Sequence, residues 1–389
     1  MANESVDSEI VSQFLLDSCR VRPQLTQHAV HAALRCAEAT MMSVFDDHKE
    51  ADIPLITGSV AEFYIEPMLP CIGDIDIMFH RSGYLAIPRG HPSPTQLPAE
   101  FGNYVHLSEI IDSQLPGYVY LQTRYLLTYC PEDEKYNYME HDRGQFYPNW
   151  NAFTDEKVIR HGPAVFQDFI EDLSFDAVPC VRCLVWLPQA ADWPTRHSNH
   201  GWPDSATVDR VVNNGCDLVG VAHRQCRQHK SWMSQFQHRL SFSRAEIVLI
   251  NSWMPVQQIA YHMLRFFVKT ERLTESVDNS NTATLSNYHI KTLMLWACEL
   301  KPRSWWTDNL NLVKITIKLL HTLSVWLTDR RCQHYFINDC NLIDNTLNVQ
   351  MIVAELTSTN ETSLSSWFVK NSIDKCSESC PFVGAGMSL

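Results

Sequence analysis

The sequence predicts an α+β chain in two lobes, a mixed-sheet lobe followed by a mostly helical one. Three observations carry this. Near residue 240 the hydrophobic pattern changes from short alternating or β-branched runs to repeats at helical spacing. At 389 residues the chain is longer than one hydrophobic core ordinarily fills. Its composition, 45% hydrophobic and 19% charged, is that of a globular protein. The division falls at 1–240 for the first lobe, with an N-terminal helix, and 241–389 for the second.

Residues Gln24 to Lys49 read as that helix, because Val30, Ala33, Leu34 and Met41 recur on one face without Pro or Gly. The apolar stretch Ile53 to Ile56 then runs into Gly58-Ser59. After Pro67, Pro70 and Gly73 comes a strand pattern, Ile75 to Phe79. Pro88 to Pro98 is a loop by its proline, glycine and polar content. Tyr118 to Tyr129 is β-branched and aromatic enough for a strand and its partner. The acidic stretch Pro131 to Pro148 reads as a solvated insertion, and Phe175 to Trp186 and Cys216 to Ala222 as strands. Beyond Ser241, the segments Ala245 to Thr270, Ser286 to Leu300, Asn309 to Leu327 and Leu347 to Ala354 are helical. Ser286 supplies an N-cap to the second of these and Pro302 a stop.

Several function classes drop out. No run approaches the ~18 apolar residues of a membrane-crossing helix. Met1 to Glu9 carries acidic groups and no apolar core, so no secretory signal is expected. Thirteen scattered cysteines read as reduced thiols, which points to a cytoplasmic protein. The formal charge of -13 is poor material for a surface that binds nucleic acid throughout. From Leu240 onward, however, basic and acidic residues balance at 13 each, which leaves room for a local basic patch.

The most informative stretch is Gly73-Asp74-Ile75-Asp76-Ile77-Met78-Phe79. On a strand Asp74 and Asp76 share a face while Ile75 and Ile77 pack behind. Two carboxylates so placed repel one another, and hard oxygen ligands favour magnesium or manganese between them. Upstream, Gly58 permits a tight turn, and the N–H groups after it with the Ser59 hydroxyl suit phosphate oxygens. A later strand carries Asp176 between Phe175 and Ala177. Three carboxylates around two metal ions about 3.5–4 Å apart would form a clamp for phosphoryl or nucleotidyl transfer. The competing reading of Asp74-x-Asp76 alone is a solvated strand edge.

The combination of Gly58-Ser59, Asp74-x-Asp76 and a distant Asp176 resembles the nucleotidyltransferase superfamily. More closely, the chain resembles the Mab-21 domain family, which includes cyclic GMP-AMP synthase and the animal cGAS-like receptors. The segments that carry this are Phe175 to Pro179 with Trp186 to Pro194, Arg239 to Glu246, Leu285 to Thr292, and Arg330 to Phe336. The resemblance implies a bilobal nucleotidyltransferase fold and a ligand-activated cyclic dinucleotide synthase of innate immune signalling. Such an enzyme joins ATP and a second NTP with release of pyrophosphate. It further implies that Ser59 holds the donor triphosphate and that Asp74, Asp76 and Asp176 hold two Mg2+ (or Mn2+) ions. Arg239, Ser241 and Ser243 would line a base pocket, Tyr288 would stack on a base, and Arg265 would contact phosphate. Activation would move the Gly58-Ser59 turn relative to the Asp74–Asp76 strand. A non-catalytic Mab-21-type scaffold or interaction protein is the alternative, and retention of all three carboxylates with Ser59 favours the enzyme.

The vertebrate synthase inserts a zinc ribbon after its Ser-Phe-Ser segment. Here no Cys occurs between Ser243 and Thr270, so no zinc is expected there. Some cGAS-like receptors without the ribbon sense double-stranded RNA, and the chain resembles them, which makes such RNA the expected activator. Cys216, His223, Cys226 and His229 lack the tight spacing of a zinc site. Cys180 and Cys183 would point to opposite faces of a strand and so form no redox pair. Arg224, Arg227 and Lys230, and Lys314 with Lys318 one helical turn on, are the candidates for contacting a nucleic acid backbone. Their alternative is a solvated helix face.

Overall fold

The computed structural model of the protein describes residues 7–22, 52–62, 64–66, 75–149, 160–161, 163–170, 173–196, 200–229, 232–274, 285–307, 311–343 and 349–373. The helix expected over residues 24–49 lies outside them, as do Asp74 and Lys230. The first half contains α1 (Ser8–Ser18), β1 (Arg20–Arg22), β2 (Asp52–Thr57), α2 (Gly58–Glu62), β3 (Tyr64–Glu66), β4 (Ile75–Pro88) and β5 (Tyr104–Asp112). There follow β6 (Tyr118–Cys130), β7 (Lys135–Phe146), β8 (Arg160–His161), β9 (Ala164–Ile170), β10 (Leu173–Cys183), α3 (Ser205–Asn213), β11 (Cys216–Val219), α4 (Arg224–Gln228) and β12 (Gln237–Ser241). The helical part comprises α5 (Ser243–Asn251), α6 (Pro255–Thr270), α7 (Asn287–Leu300), α8 (Arg303–Thr307), α9 (Leu312–Thr328), α10 (Val349–Ser358) and α11 (Glu361–Phe368).

The large sheet is mixed. β4 runs parallel to both β5 and β10, and the remaining pairings are antiparallel. The neighbour order β4-β5-β6-β12-β11-β10 returns to β4 through the β4–β10 pairing, so these strands close a circuit. β2 pairs with the first half of β4 from outside the circuit. The architecture is the α+β one expected, with a mixed sheet followed by a helical region.

Three elements differ from expectation. Tyr118 to Cys130 is a single long strand, because no turn residue interrupts its β-branched and aromatic run, and a bulge near Arg124 is taken up within it. The acidic stretch after it is not an insertion but the strand β7, paired only with β6. Its tyrosines decide this: Tyr136 is buried against Tyr129 at a ring distance of 5.2 Å, and Tyr138 meets Tyr125 at 5.7 Å. Such cross-strand aromatic pairs outweigh the charges of the turn before it. Finally, 245–270 is two helices, α5 and α6. Pro255 has no N–H to continue α5 and instead occupies the first turn of α6, after Met254.

α7 begins as the sequence indicated. The Ser286 amide donates to His289 Nδ1 at 3.0 Å, closing a capping box, and the helix ends before Pro302. α6 is buried almost all round, with Val256 to Leu264 and Phe266 to Val268 inside, and it forms the centre of the helical lobe. α1, which the sequence did not reveal, docks on that lobe. Val11 and Leu15 enter the core, and Ser12 Oγ donates to Asn311 Oδ1 at 3.0 Å ahead of α9. Among the described residues no helix is long and apolar enough to cross a membrane.

Candidate functional site

Three adjacent strands build the centre of the site. β2 ends at Thr57, which stands opposite Asp76 on β4, and Asp76 stands opposite Asp176 on β10. Parallel neighbours in register point to the same side of a sheet about 4.8 Å apart, so the two carboxylates share a face. Ile77, on the other face, is buried in the core. The period of two in Asp76-Ile77-Met78 therefore puts Ile77 on the face opposite Asp76, while Met78, buried, follows Asp76 on its own face.

Burial, followed by the negative charge of Asp176, pushes the Asp76 carboxyl up to about 6. Glu62 pushes the same way, while Lys291 and Arg265 oppose it. The protein thus holds two like charges side by side and supplies cations at one remove. This donor set fits a hard divalent cation, whose charge relieves the repulsion. Among the described residues no group of three or more His, Cys, Asp or Glu side chains is arranged to hold a metal. Asp74 lies outside the description, so the described part of the candidate metal centre is the pair Asp76 and Asp176.

Gly58 sits directly on this pair. Its φ is +64°, and a Cβ there would fall 2.7 Å from the Asp76 carboxyl carbon and closer still to Oδ2. Only glycine satisfies both the left-handed backbone and the close approach. The turn therefore places the first residues of α2 against the carboxylate pair. Ser59 belongs to this turn, although its side chain lies outside the description.

The expected base pocket lies along the same face. Met78, two residues beyond Asp76, is approached by Ser241 Oγ at 3.9 Å, and Ser241 Oγ is 3.1 Å from Ser243 Oγ. Tyr288 is half-buried, with its hydroxyl 3.0 Å from His334 Nε2. Arg239 is exposed on β12 and close enough to act electrostatically on both Tyr288 and His334. Arg265 projects from α6 with its guanidinium carbon 5.6 Å from the Tyr261 ring centre, and among the described residues its buried Nε has no hydrogen-bond partner. A cationic group so placed, and felt at Asp76, suits an anionic ligand.

Residues 96–252 match the model of the Mab-21 protein nucleotidyltransferase domain, and residues 257–356 match that of the Mab-21 protein HhH/H2TH-like domain. The two follow one another along the chain and together span most of it. The chain belongs to the Mab-21 family. The first match takes in Asp176, Arg239, Ser241 and Ser243, and the second Arg265 and Tyr288. Gly58, Ser59, Asp74 and Asp76 precede both. The place of Asp76 beside Asp176, and of Thr57 ahead of Gly58 beside Asp76, is given by the strand register. In this Mab-21 chain the nucleotidyltransferase domain supplies the sheet that carries Asp176, and α6, α7, α9 and part of α10 lie in the second match.

The candidate nucleic-acid residues fall in two places. Arg224 and the exposed Arg227 lie on α4 beside the sheet, and Lys314 and Lys318 lie exposed on α9 in the helical lobe. Lys314 is already 3.5 Å from Glu361, and Lys318 Nζ lies 5.8 Å from the Trp305 ring centre. Of the cysteines, Cys183 is directly across from Cys216 on β11, and both are fully buried. Cys180 is buried too.

Four residues of the site received no role from the sequence: Glu62, Glu246, Lys291 and His334. Glu246, Lys291 and His334 lie within the segments that carry the family resemblance, and Glu62 follows Val60-Ala61 and precedes Phe63.

Proposed function

We propose that this Mab-21 protein is a metal-dependent nucleotidyltransferase that joins ATP and a second NTP into a cyclic dinucleotide, releasing pyrophosphate. The observation that carries this reading is the juxtaposition of Gly58, Asp76 and Asp176 on adjoining strands, with a carboxyl pushed up to about 6 by burial and by its neighbour. Asp76 and Asp176, with Asp74, would hold the divalent cations. When bound, these neutralise triphosphate charge and favour attack of a sugar hydroxyl on the α-phosphorus. The Gly58-Ser59 turn grips the donor triphosphate, and Arg265 offers it a further cation. Asp176 orients the attacking hydroxyl and accepts its proton. The Tyr288 ring stacks on a base while Arg239, Ser241 and Ser243 supply polar contacts around it. Use of the pocket twice, with the linear intermediate turned over, closes the ring.

A ligand bound elsewhere on the molecule would switch this chemistry on, as part of innate immune signalling in the cytoplasm. Double-stranded RNA, met through phosphates and 2′-hydroxyls by Arg224, Arg227, Lys230, Lys314 and Lys318, is the activator we favour. The test is incubation with labelled NTPs, Mg2+ or Mn2+, and a panel of duplex RNA and DNA. Phosphatase-resistant product that vanishes in Asp76→Asn and Asp176→Asn supports the proposal. Absence of product under every ligand returns the protein to the scaffold reading.

A further inference from the structure

Lys291 lies on α7, three residues after Tyr288, with its side chain mostly buried. Its Nζ contacts Glu62 Oε1 and lies 2.8 Å from Glu246 Oε2. The side chain of Lys291 is 13% exposed, and Glu62 and Glu246 are 1% and 2% exposed as residues. Tyr261 donates its hydroxyl to Glu62 Oε2 at 3.3 Å. The members of this cluster come from four elements, α2, α5, α6 and α7. Although burial opposes its charge, Glu246 and Glu62 hold the Lys291 ammonium well above its ordinary value.

The cluster continues to Tyr288 with its protons in a fixed direction. His334 Nδ1 accepts the Phe336 and Ile337 amides, both at 3.1 Å, so the ring proton sits on Nε2. Burial holds His334 down to about 4, which keeps it neutral near pH 7. Nε2–H therefore donates to the Tyr288 oxygen, and the negative charge of Glu246 adds to burial in holding the Tyr288 hydroxyl protonated. Lys291 thus joins the two sides, its Nζ paired with Glu62 and Glu246 and 5.9 Å from the centre of the Tyr288 ring, which His334 holds from beyond. Glu62 terminates α2, the short helix that Gly58 begins, and Asn251 on α5 donates to the Ala61 carbonyl at 3.1 Å.

Stability alone is a poor reason for such a cluster, since replacing a whole buried ion set by well-packed neutral side chains is often neutral or stabilising. What this set does is join α2 to the helical lobe at the point where Gly58 meets Asp76. We propose that Lys291 is a positioning residue, tying the Gly58-Ser59 turn to the pocket around Tyr288 so that the two halves of a nucleotide site are set together. This deepens the transfer reading and rests on it for its purpose, although the tie is testable without turnover.

The experiment is amide hydrogen exchange on the full chain, nucleotide-free, comparing the native protein, Lys291→Arg, and the triple variant Glu62→Gln/Lys291→Met/Glu246→Gln. The triple variant removes all three charges at nearly constant shape, so no carboxylate is left buried and unpaired. The expected result is exchange at least tenfold faster at residues 58–62 in the triple variant, unchanged exchange in α6 and α9, and native-like slow exchange in Lys291→Arg. Unchanged exchange at 58–62 in the triple variant overturns the proposal, as does acceleration spread evenly over α6 and α9. Local acceleration in a protein whose native form turns over no NTP under any activator keeps the positioning role and rejects the transfer reading alone.

Discussion

Asp76 and Asp176 stand opposite one another where β4 and β10 run parallel, and each raises the cost of ionising the other. The carboxyl of Asp76 is shifted from 3.8 to about 6. A carboxyl raised on folding contributes stability below its unfolded value of 3.8 that is lost as pH rises through about 6. Without metal, the protein should therefore lose on the order of 2–3 kcal/mol between those limits. Added Mn2+ should raise Tm clearly at about pH 7.5 and little at about pH 5, where protons compete for the site. Thermal melts at both pH values with and without Mn2+ check this, and equal Mn2+ shifts would contradict it.

Asp176→Asn removes one charge of the pair while preserving its size. The metal-free protein should become more stable near neutral pH, with the Asp76 carboxyl moving back toward its usual range. The Mn2+-dependent rise in Tm should fall away in the same variant. Carbon-13 titration of the aspartate carboxyl groups follows the first effect and calorimetric Mn2+ binding the second.

Gly58→Ala places a methyl against the Asp76 carboxylate and forces a left-handed backbone on a residue that resists it. The turn must shift to accept it. A displacement of about 1 Å at a reacting centre is worth roughly 100-fold in rate, so transferase activity should drop by at least that much. Circular dichroism should remain native, because Gly58 lies at the edge of the fold rather than in its core.

Tyr288 separates two contributions within one side chain. Tyr288→Phe keeps the ring and removes the hydroxyl bonded to His334, whereas Tyr288→Ala removes both. If the ring stacks on a base, alanine should raise the nucleotide KM by a factor corresponding to about 1–3 kcal/mol. Phenylalanine should affect KM far less. Steady-state kinetics on the two variants distinguish them.

Asp217 and Arg244 form a different kind of pair, behind the site. Asp217 is fully buried on β11 and accepts from Arg244 Nε at 2.9 Å. Asp217→Ala should cost about 3–5 kcal/mol because it strands the guanidinium. Removing the exposed Lys314–Glu361 pair should cost no more than about 1 kcal/mol. Urea denaturation of both variants measures the contrast.

The parts of the site visible in the sequence are those whose signal is local. Asp76 announces itself through alternation with Ile77 and Met78, Gly58 through the turn it permits, and Ser286 through its distance from His289. Lys291 is different: its partners Glu62 and Glu246 are 229 and 45 residues away, and no spacing rule joins them. The cysteines make the same point. Cys180 and Cys183 are near in sequence, whereas the residue facing Cys183 across the strands is Cys216. α1 buries only Val11 and Leu15 of its apolar side chains fully, a stripe too short to stand out in the sequence, although Asp7 caps it. In β7 the local charge masks the alternation of its tyrosines.

Closure of the strands around β4 and β10 constrains how this pocket could ever be regulated. The two aspartates sit on the seam of a ring, and sliding either strand would break hydrogen bonds around the whole perimeter. The floor is an anvil. If the proposed activation exists, it must act on pieces hung on the outside of the ring: the small helix after β2 and the helices that reach over to hold it.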